Sequence, residues 1–497
     1  MRVSLSTACF FGGVLASVAA FALACGGSEE CRDCGETPLP PRDLDAGTDA
    51  TTNDARVEED AGPPSGTCLW SKAFGGPDSQ FGSAVTVDPQ GNIFVGSSTR
   101  GTIDFGGGLL TADESDIAFA RFDGTGKHLY SVLYGGTGNQ FVTGMASNGG
   151  GNIYAAGQMR GTLSFGDAGT VTANADGAFD SYMVRFRPDN TISSVDHITG
   201  PGEQAAFGLA ADPSSGAAVI GRNAGQLQAV AQTVDKAGSI DSFVVRLQAT
   251  SINWARGIPG TANGEAHGVT YEPDGRILVS GFFSGQITIA GKTFTSAGNS
   301  DAFVARFDAN GNAVDAMSFG GAADDQAWVI VSDTANGNIL VGGEFAASFS
   351  VAGKTLTSKG GRDIFVVRLD KSLSPIDVKS YGGVADERAM VLTTNPDGSF
   401  IVGGVTAGDV DFGGGNLASG GGLDAYLVKI DGKGQHVWSK RFGGPGDQTL
   451  YWNGLARAPN GDLIVFAAFQ QEVDVGCGKL TAVDGFDVWL GRFAERY

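Results

Sequence analysis

The sequence has little positive charge, and it shows no helical period beyond its first 25 residues. It contains 33 Lys and Arg against 54 Asp and Glu, a formal net charge of −21. Binding of nucleic acid needs clustered Lys and Arg against phosphate, so the composition excludes nucleic acid as an expected partner. Charged residues make up only 18% of the chain, whereas glycine is abundant, at 79 of 497 residues. This composition suits many tight turns between short strands.

The local motifs of common enzyme classes are also missing. The four histidines form no His-x-x-x-His pair, and no Gly-x-Ser-x-Gly elbow occurs. The glycines open no helix, so they do not form a phosphate-binding loop. Clustered Asp and Asn oxygens would suit calcium, but no segment has the spacing of an EF-hand loop. We therefore expect no metal, no cofactor and a non-enzymatic role.

One short segment is written seven times along the chain. In its clearest copy, residues 301–308, it reads Asp-Ala-Phe-Val-Ala-Arg-Phe-Asp. Its leading aspartates recur at intervals of 60 to 64 residues, at Asp116, Asp180, Asp241, Asp301, Asp363, Asp424 and Asp487. A fixed period indicates a repeat architecture. The aromatic and β-branched composition predicts a strand, and its two apolar faces require a neighbouring sheet on each side.

Each period supplies further strand and turn signals in a constant order. A strand ending in Gly-Gly is followed by a polar corner, a short strand and a tight turn such as Asp88-Pro89-Gln90-Gly91-Asn92. Another strand, a connecting hairpin and the aspartate-led strand complete the unit. Four main strands per period predict an all-β fold, a seven-bladed β-propeller with four-stranded blades over residues 68–497.

These motifs resemble a known bacterial family. The repeat is similar to the β-propeller repeats called the SBBP family, and the resemblance extends over residues 69–493. It is carried by three motifs: Gly-Gly-x-x-Asp-Gln, Asp-Pro-x-Gly-Asn-Ile-x-Val-x-Gly and Asp-Ala-Phe-Val-Ala-Arg-Phe-Asp. The resemblance implies an exported or surface-displayed bacterial protein. It implies no particular activity, because such repeats occur in proteins of varied role.

The N-terminal strand is expected to close the ring. The first predicted strand, Trp70–Phe74, is of the type expected to be outermost in each blade, and the last is the Asp487–Phe493 segment. We predict that these two segments pair, so that the last blade has no open seam. Cys68 and Cys477 then fall in the same blade. In an oxidising compartment they are predicted to form a disulfide, the alternative being two buried thiols.

The first 67 residues are predicted to be targeting sequence and spacer. Residues 1–25 resemble an export signal, with Arg2 before an apolar run that ends at Ala22-Leu23-Ala24-Cys25. That tetrapeptide resembles the bacterial lipobox, in which the cysteine becomes lipid-modified, although Ala22 stands where leucine is usual. Ordinary cleavage after Ala22 is the alternative. Residues 26–67 are acidic and rich in Pro, Gly and Thr, and are predicted to be a disordered tether.

The polar corners are expected to gather at one mouth of the channel, at the entrance to the strand that lines the axis. Each corner is expected to cap a turn of a neighbouring blade, and the alternative is that the corners form a ligand-binding site. Variable aromatic residues beside the corners, which also include Phe207 and Tyr451, indicate where a specific site would form. The candidate residues are Asp78, Phe81, Asn139, Phe141, Glu203, Asp325, Trp328, Asp386, Asp447 and Trp452, and Glu265 occupies a further corner.

The sequence thus predicts a lipid-anchored propeller of the bacterial cell envelope, an outer-membrane or surface lipoprotein attached to the membrane through Cys25 alone. It would act as a non-enzymatic binding or scaffold module for an envelope protein or glycan. The alternative is an exported propeller enzyme that acts on polysaccharide, with carboxylates at the channel mouth as acid and base.

Overall fold

The computed structural model describes residues 62–213, 216–333, 335–451 and 453–497. The predicted signal, the lipidation residue Cys25, nearly all of the predicted tether and Trp452 lie outside these ranges. Within them the fold is all-β, with seven four-stranded antiparallel sheets and one short 3-10 helix, Gly166–Ala168. The predicted seven-bladed propeller is confirmed.

The first four blades follow each other along the chain, and in each the strands run in chain order from the innermost to the outermost. Blade 1 contains Gln80–Val87, Ile93–Thr99, Asp116–Phe122 and His128–Tyr134; blade 2 contains Gln140–Ser147, Ile153–Met159, Asp180–Phe186 and Ile192–Thr199. Blade 3 contains Gln204–Ala211, Gly216–Asn223, Asp241–Gln248 and Ser251–Ile258; blade 4 contains Gly264–Tyr271, Ile277–Phe283, Asp301–Phe307 and Ala313–Phe319.

The last three blades have the same arrangement from the axis outwards. Blade 5 contains Asp325–Asp333, Asn338–Phe345, Asp363–Leu369 and Pro375–Gly383; blade 6 contains Glu387–Thr394, Phe400–Thr406, Asp424–Ile430 and His436–Phe442. In blade 7 the innermost strand is broken into Gln448–Thr449 and Leu455–Arg457, and the sheet continues with Leu463–Asp474, Lys479–Phe493 and Cys68–Phe74.

A small hairpin connects the second and third strands of each blade. In blades 1 to 6 its strands are Thr102–Ile103 with Leu110–Thr111, Thr162–Ser164 with Thr170–Thr172, Leu227–Ala229 with Gln232–Val234, Gln286–Ile289 with Lys292–Thr295, Ser348–Val351 with Lys354–Thr357, and Val410–Asp411 with Asn416–Leu417. In blade 7 the two main strands run on into the hairpin without a break.

The N-terminal strand closes the ring as predicted. Cys68–Phe74 pairs antiparallel with Lys479–Phe493, with Trp70 opposite Arg492 and Phe74 opposite Val488. The predicted disulfide is also present, between Cys68 on the closing strand and Cys477 in the hairpin of blade 7. The two ends of the ring are therefore joined by strand pairing and by a covalent bond.

The core of the molecule lies between blades rather than inside one sheet. Seven clusters of buried apolar side chains are present in the described residues, and each draws on two adjacent blades. The strand Asp301–Phe307 is buried along its whole length, since one face packs towards blade 5 and the other towards blade 3. The two apolar faces read from the sequence thus have their expected neighbours.

The repeated aspartate and the repeated Gly-Gly form one structural device. The buried carboxylate of Asp301 accepts a hydrogen bond from the Ala297 backbone N–H at 3.1 Å. A Cβ atom added to Gly320 would lie 2.4 Å from the Asp301 Cγ, and one added to Gly321 would lie 2.1 Å from the Ser348 carbonyl oxygen. The first glycine therefore makes room for the carboxylate, and the second makes room for the backbone of the next hairpin.

The repeated cation near the end of each third strand holds neighbouring turns. Arg121 contacts the carboxylate of Asp88 in its own blade at 2.7 Å and donates a hydrogen bond to the Pro188 carbonyl of blade 2 at 2.5 Å. In blade 7, Arg492 contacts Asp462 at 2.9 Å and reaches blade 1. The same cationic side chain thus pairs with a carboxylate of its own blade and bridges two blades.

Candidate functional site

The predicted polar corners occupy several different positions in the structure. We count from the first residue of the innermost strand in each blade. The position one residue before that strand is occupied by Asn139, Glu203, Asp386 and Asp447. Asp78 lies two residues before the strand, Asp325 is its first residue and Glu265 is its second residue. The corners therefore do not form a ring of seven equivalent carboxylates, because their side chains point to different surroundings.

Asp325 is a buried structural residue. It is fully buried, and its carboxylate accepts a hydrogen bond from the Gly321 backbone N–H at 2.6 Å. Burial raises the pKa of Asp325 to about 7. Glu387 holds the same position in blade 6, where it accepts from the Gly383 N–H at 2.7 Å, and burial raises its pKa to about 7. Both side chains brace the Gly-Gly loop and are shielded from a ligand.

Two other predicted residues cap the preceding blade. Asp386 accepts a hydrogen bond from the Arg362 backbone N–H, and Asp447 accepts one from the Leu423 backbone N–H, each at 2.8 Å. At these positions the structure matches the expected turn capping between blades. Their carboxylates stabilise loops of blades 5 and 6.

The candidates of blades 1 and 2 divide into a polar and an aromatic pair. Asp78 and Asn139 line an open cavity of about 430 Å³ together with Arg100. Phe81 packs on Phe486 with 5.1 Å between ring centroids, whereas Phe141 packs on Phe179 at 5.8 Å. The two aromatic candidates therefore contact different blade edges and do not form one platform.

A β-bulge interrupts the pairing of the innermost strand in six of the seven blades. In blades 1 to 6 the pairing of the innermost strand skips one residue, and the skipped residues are Ser83, Thr143, Phe207, His267, Trp328 and Met390. We call these the bulge residues. They vary in chemistry while the surrounding framework repeats, so this position distinguishes one blade from another.

Blade 7 departs from this pattern at the axis. Its innermost strand is interrupted between Thr449 and Leu455, where the other blades have a single bulge residue. From this interruption the Asn453 carbonyl accepts a hydrogen bond from the Val85 N–H at 2.8 Å, and its amide donates to the Thr143 carbonyl at 3.2 Å. The segment thus reaches blades 1 and 2 near the axis.

The bulge residues of blades 3 to 5 form an aromatic stack. The rings of Phe207 and His267 are nearly parallel, at 11°, with centroids 4.5 Å apart. Trp328 meets His267 at 4.4 Å and 63°, and Phe282 also stacks on the histidine, at 5.5 Å and 11°. A cavity of about 50 Å³ remains beside His267 and Trp328, bounded also by Met390 and Asn453.

An ion-pair chain lies against this stack. Arg222 contacts Glu203 at 2.6 Å and Glu265 at 3.0 Å, and Glu265 contacts the His267 Nε2 at 3.1 Å. We call the whole group the mouth cluster, formed by Glu203, Phe207, Arg222, Glu265, His267, Phe282 and Trp328. Sequence reasoning missed Arg222 and His267, because these partners come from strands of two different blades.

The charges of the mouth cluster fix its protonation states. Burial opposes the charge of Glu265, but His267 and Arg222 outweigh it and lower the pKa of this carboxyl. Burial lowers the pKa of His267, so the imidazole is neutral near pH 7. An ionised Glu265 can only accept, so the His267 Nε2 carries the proton and Nδ1 is left as an acceptor.

The stack also contains polar atoms without partners. The His267 Nδ1 acceptor and the Trp328 Nε1 donor are both buried and make no hydrogen bond within the part of the chain that the structure describes. Buried polar groups normally have a partner, and leaving one unpaired costs about 1–3 kcal/mol. The two atoms therefore provide one acceptor and one donor for a bound group or water.

A second ion-pair chain continues towards blade 6. Arg362 contacts Glu344 at 2.7 Å and Asp324 at 3.3 Å, and Arg388 contacts the same Glu344 at 2.9 Å.

Among the described residues, no group of three or more His, Cys, Asp and Glu side chains is arranged to hold a metal ion. The described part of the chain also contains no helix of sufficient length and apolarity to cross a membrane.

Comparison with known proteins agrees with the class of the fold, a β-propeller. Residues 284–313 match the family described as "Domain of unknown function (DUF5122) beta-propeller". The chain is 23% identical over 383 residues to Regulatory protein FlaEY of Caulobacter vibrioides (strain ATCC 19089 / CIP 103742 / CB 15). That match takes in 70% of this chain, and the chain spans only 38% of the length of that relative.

Solved structures resemble the chain only distantly. Sqt1 from Chaetomium thermophilum has a TM-score of 0.41 at 12% identity, over 85% of this chain and 100% of that one. A subtype N10 neuraminidase-like protein of A/little yellow-shouldered bat/Guatemala/060/2010 has a TM-score of 0.34 at 10% identity, over 86% of this chain and 99% of that one. These likenesses carry no argument about function.

Proposed function

We propose that this chain is a non-enzymatic binding or scaffold module of the SBBP type, and that its ligand contacts the mouth cluster. The observation that carries the proposal is the contrast between framework and bulge residues. Asp, Gly-Gly and Arg recur from blade to blade, whereas three successive bulge positions carry Phe207, His267 and Trp328. Aromatic residues concentrated at three of the repeated positions are not needed to build the ring.

The chemistry of the cluster suits a ligand with both donors and acceptors. Trp328 supplies a donor and His267 an acceptor, and aromatic rings offer apolar faces beside them. Sugar hydroxyls donate and accept, and protein side chains at an interface do the same. An envelope glycan or protein is therefore the proposed ligand class, and the ion pairs of Arg222 hold the platform rigid.

The alternative, acid–base catalysis on polysaccharide, receives no support from these carboxylates. Glu203 and Glu265 share one guanidinium, and the pKa of Glu265 is lowered, whereas a general acid needs a raised pKa. The pKa values of about 7 belong to Asp325 and Glu387, which are fully buried beneath the Gly-Gly loops. The proposal is therefore binding.

The test is capture of envelope material by the full chain. The tagged protein is crosslinked in intact cells and recovered, and its glycan and protein partners are identified separately. Trp328→Ala and His267→Asn are expected to reduce recovery of the partner about tenfold or more. Val437→Ala is the matched control, because Val437 is half-exposed on the outer rim, far from the mouth in the sheet order. Equal recovery by all variants would contradict the proposal.

We also propose that the module is exported and anchored in the bacterial envelope through a lipid on Cys25. The support is the sequence Ala22-Leu23-Ala24-Cys25 after an apolar run. Cys25→Ser is expected to release the protein from the membrane fraction and to abolish incorporation of labelled palmitate. A variant that keeps its membrane association without the cysteine would contradict the anchor, and secretion with cleavage after Ala22 would support an ordinary signal peptide.

A further inference from the structure

The outermost strand of each blade has no partner strand along most of its outer edge within the described ranges. Such edges pair readily with other chains, and proteins often protect them with charged side chains, lysine above all. One position of this strand lies opposite the fourth residue of the aspartate-led strand. From blade 1 to blade 7 it is occupied by Val132, Asp196, Arg256, Met317, Lys379, Lys440 and Lys72. Five of the seven blades therefore carry a charge there.

Blade 1 is the exception. Its outermost strand, His128–Tyr134, contains no Asp, Glu, Lys or Arg, whereas the outermost strand of every other blade contains at least one. Blade 4 also has an uncharged residue, Met317, at the position of Val132, but Asp315 lies two residues earlier on the same strand. The edge of blade 1 thus lacks the charge that protects the edges of the other six blades.

Side chains cap the outer edge in blades 4 and 5. Asp315 accepts a hydrogen bond from the Ala316 backbone N–H at 2.8 Å. Lys292, in the hairpin of the same blade, donates to the Ala316 carbonyl at 3.1 Å. In blade 5, Asp377 accepts from the Val378 backbone N–H at 2.8 Å. The backbone groups at this position therefore face away from the neighbouring strand and are available to a partner unless a side chain caps them.

The corresponding backbone groups of blade 1 belong to Ser131. Ser131 and Ala316 both lie opposite the fifth residue of the aspartate-led strand. The residue before Ser131 is Tyr130, which has no carboxylate to accept from the Ser131 N–H. The hairpin of blade 1 has the same length as that of blade 4, and it has Gly108 at the position of Lys292. The edge of blade 1 therefore lacks both of these caps.

Exposed leucines lie beside this edge. Leu129 of the outermost strand is 49% exposed, and Leu109 of the adjoining hairpin is 67% exposed. Blade 6 repeats the same hairpin and strand, but Asn416 stands in place of Leu109 and Lys440 in place of Val132. The apolar surface of blade 1 is therefore not needed to build a blade of this kind.

The charge of the molecule favours this edge as the contact between two copies. A net charge of −21 opposes the approach of a second copy. An edge without charged side chains adds least to that repulsion, and the same edge of another copy can satisfy its backbone groups. In antiparallel pairing centred on Ser131, the two Ser131 residues would exchange N–H···O=C bonds. Tyr130 of each copy would then lie opposite Val132 of the other.

We propose that two copies of this chain associate through His128–Tyr134, paired antiparallel about a two-fold axis at Ser131. The two blades then form one continuous sheet of eight strands. Both copies use the same surface, so the association closes at a dimer. One strand and one hairpin per copy make a small contact beside the roughly 1,600 Å² of a typical stable complex, so the dissociation constant is expected in the micromolar range.

Sedimentation velocity of the full chain tests the association. Every sample carries Cys25→Ser, so that no lipid on that residue contributes. Between about 2 and 200 µM, at about 0.15 M salt, the mass is expected to rise from that of one chain towards that of two. A single chain at every concentration, or assemblies larger than two chains, would overturn the proposal.

A lysine at the edge should prevent the pairing. Val132→Lys gives blade 1 the residue type that blades 5, 6 and 7 have at this position, and it is expected to weaken the association about tenfold or more. Met317→Lys, at the same position of blade 4, is the matched control and should leave the association unchanged. Equal effects of the two changes would overturn the proposal. If circular dichroism shows Val132→Lys to be unfolded, Leu109→Asn, which copies blade 6, replaces it and is expected to weaken the association severalfold.

A mixture of two variants tests the register. In homodimers, Tyr130→Glu or Val132→Lys each places two unpaired charges at the centre of the contact. In a dimer with one chain of each kind, the new carboxylate lies opposite the new ammonium, and the second cross-strand pair is native. The mixture is expected to associate within about threefold of the native affinity, while each variant alone stays about tenfold weaker. A mixture that associates no better than its components would overturn pairing centred on Ser131.

Discussion

The guanidinium of Arg492 donates a hydrogen bond to the carbonyl oxygen of Gly124, 368 residues away, at 2.6 Å. Arg492 lies on the third strand of blade 7, and Gly124 lies in the turn before the outermost strand of blade 1. The same relationship joins Arg246 of blade 3 to Ala309 of blade 4 at 2.7 Å. One residue type therefore links blade to blade, and at Arg492 it also spans the closure of the ring.

Loss of this link is expected to destabilise the closed ring. Arg492→Met keeps an apolar stem, but it removes the donor to Gly124 and leaves the buried Asp462 carboxylate without its cation. Breaking one partner of a buried ion pair costs about 3 kcal/mol or more. The free energy of unfolding in urea measures this loss. Arg187→Met, in an exposed turn, should change it by less than about 0.5 kcal/mol. Equal effects of the two changes would show that the link between blades is unimportant.

The disulfide should reinforce the same closure. Cys68 and Cys477 are 409 residues apart in sequence, so the bond restrains a very long loop in the unfolded chain. In the chain-entropy description this contributes on the order of 5 kcal/mol at most. Cys68→Ser together with Cys477→Ser is expected to lower the melting temperature, and a reducing agent should lower that of the native protein alone. A melting temperature unaffected by reductant, with both thiols shown to be free, would refute the bond.

The architecture was predictable from sequence because its determinants are local and repeated. The aspartate-led strand, the Gly-Gly and the Asp-Pro-x-Gly-Asn turn each carry their own signal. In that turn Gly91 has φ +84°, and the Asp88 carboxylate accepts from the backbone N–H groups of Gln90 and Asn92 at 2.9 and 2.8 Å. Such contacts join residues that are close in sequence, so each copy of the repeat contains the same sequence signal for the turn.

The candidate site was predicted only in part, because its contacts join distant residues. Glu203 and Trp328 belong to the mouth cluster, whereas Asp325, Asp386 and Asp447 have structural partners. Corner carboxylates look alike in sequence, but a shift of one residue along a strand turns a side chain to the opposite face. The bulge residues could have been located by counting from the second glycine of the Gly-Gly pair. Trp328 lies seven residues after Gly321, and Met390 lies seven residues after Gly383.

The contact between the first glycine and the aspartate predicts a strong coupling. A Cβ atom on Gly320 would lie 2.4 Å from the Asp301 Cγ, so Gly320→Ala must displace a buried carboxylate. Overpacking of this kind costs about 1–3 kcal/mol. In a protein that already carries Asp301→Ala, the same change should cost less than about 1 kcal/mol, because the obstacle is gone.

A double-mutant cycle in urea measures this coupling. Gly264→Ala is the control, since its Cβ would meet the Ser242 Oγ at an ordinary 3.5 Å and the position has no left-handed backbone. It should be tolerated within about 0.5 kcal/mol. If Gly320→Ala cost the same with and without the aspartate, the proposed reason for the repeated glycine would be wrong.

Glu387 should make stability fall as pH rises towards neutrality. Burial raises its pKa from 4.5 to about 7, so between these values the folded protein holds a proton that the unfolded chain releases. Stability is therefore lost across that window and levels off above pH 7. Four other blades carry glutamine at this position, and the Gln80 amide donates to the Arg100 carbonyl at 2.9 Å. Glutamine cannot ionise, so it avoids the loss.

Glu387→Gln is accordingly expected to stabilise the protein at pH 8 by on the order of 1–2 kcal/mol and to have little effect at pH 4. Urea unfolding at pH 4, 6 and 8 gives the free energy at each point. Glu114→Gln, at an exposed carboxyl, should leave the difference between pH 4 and pH 8 unchanged. A gain from Glu387→Gln that is equal at all three pH values would mean that better packing, rather than removal of a buried charge, explains it. A loss at pH 8 would mean that the carboxylate is held ionised by its two hydrogen bonds, from the Gly383 N–H and the Thr406 hydroxyl.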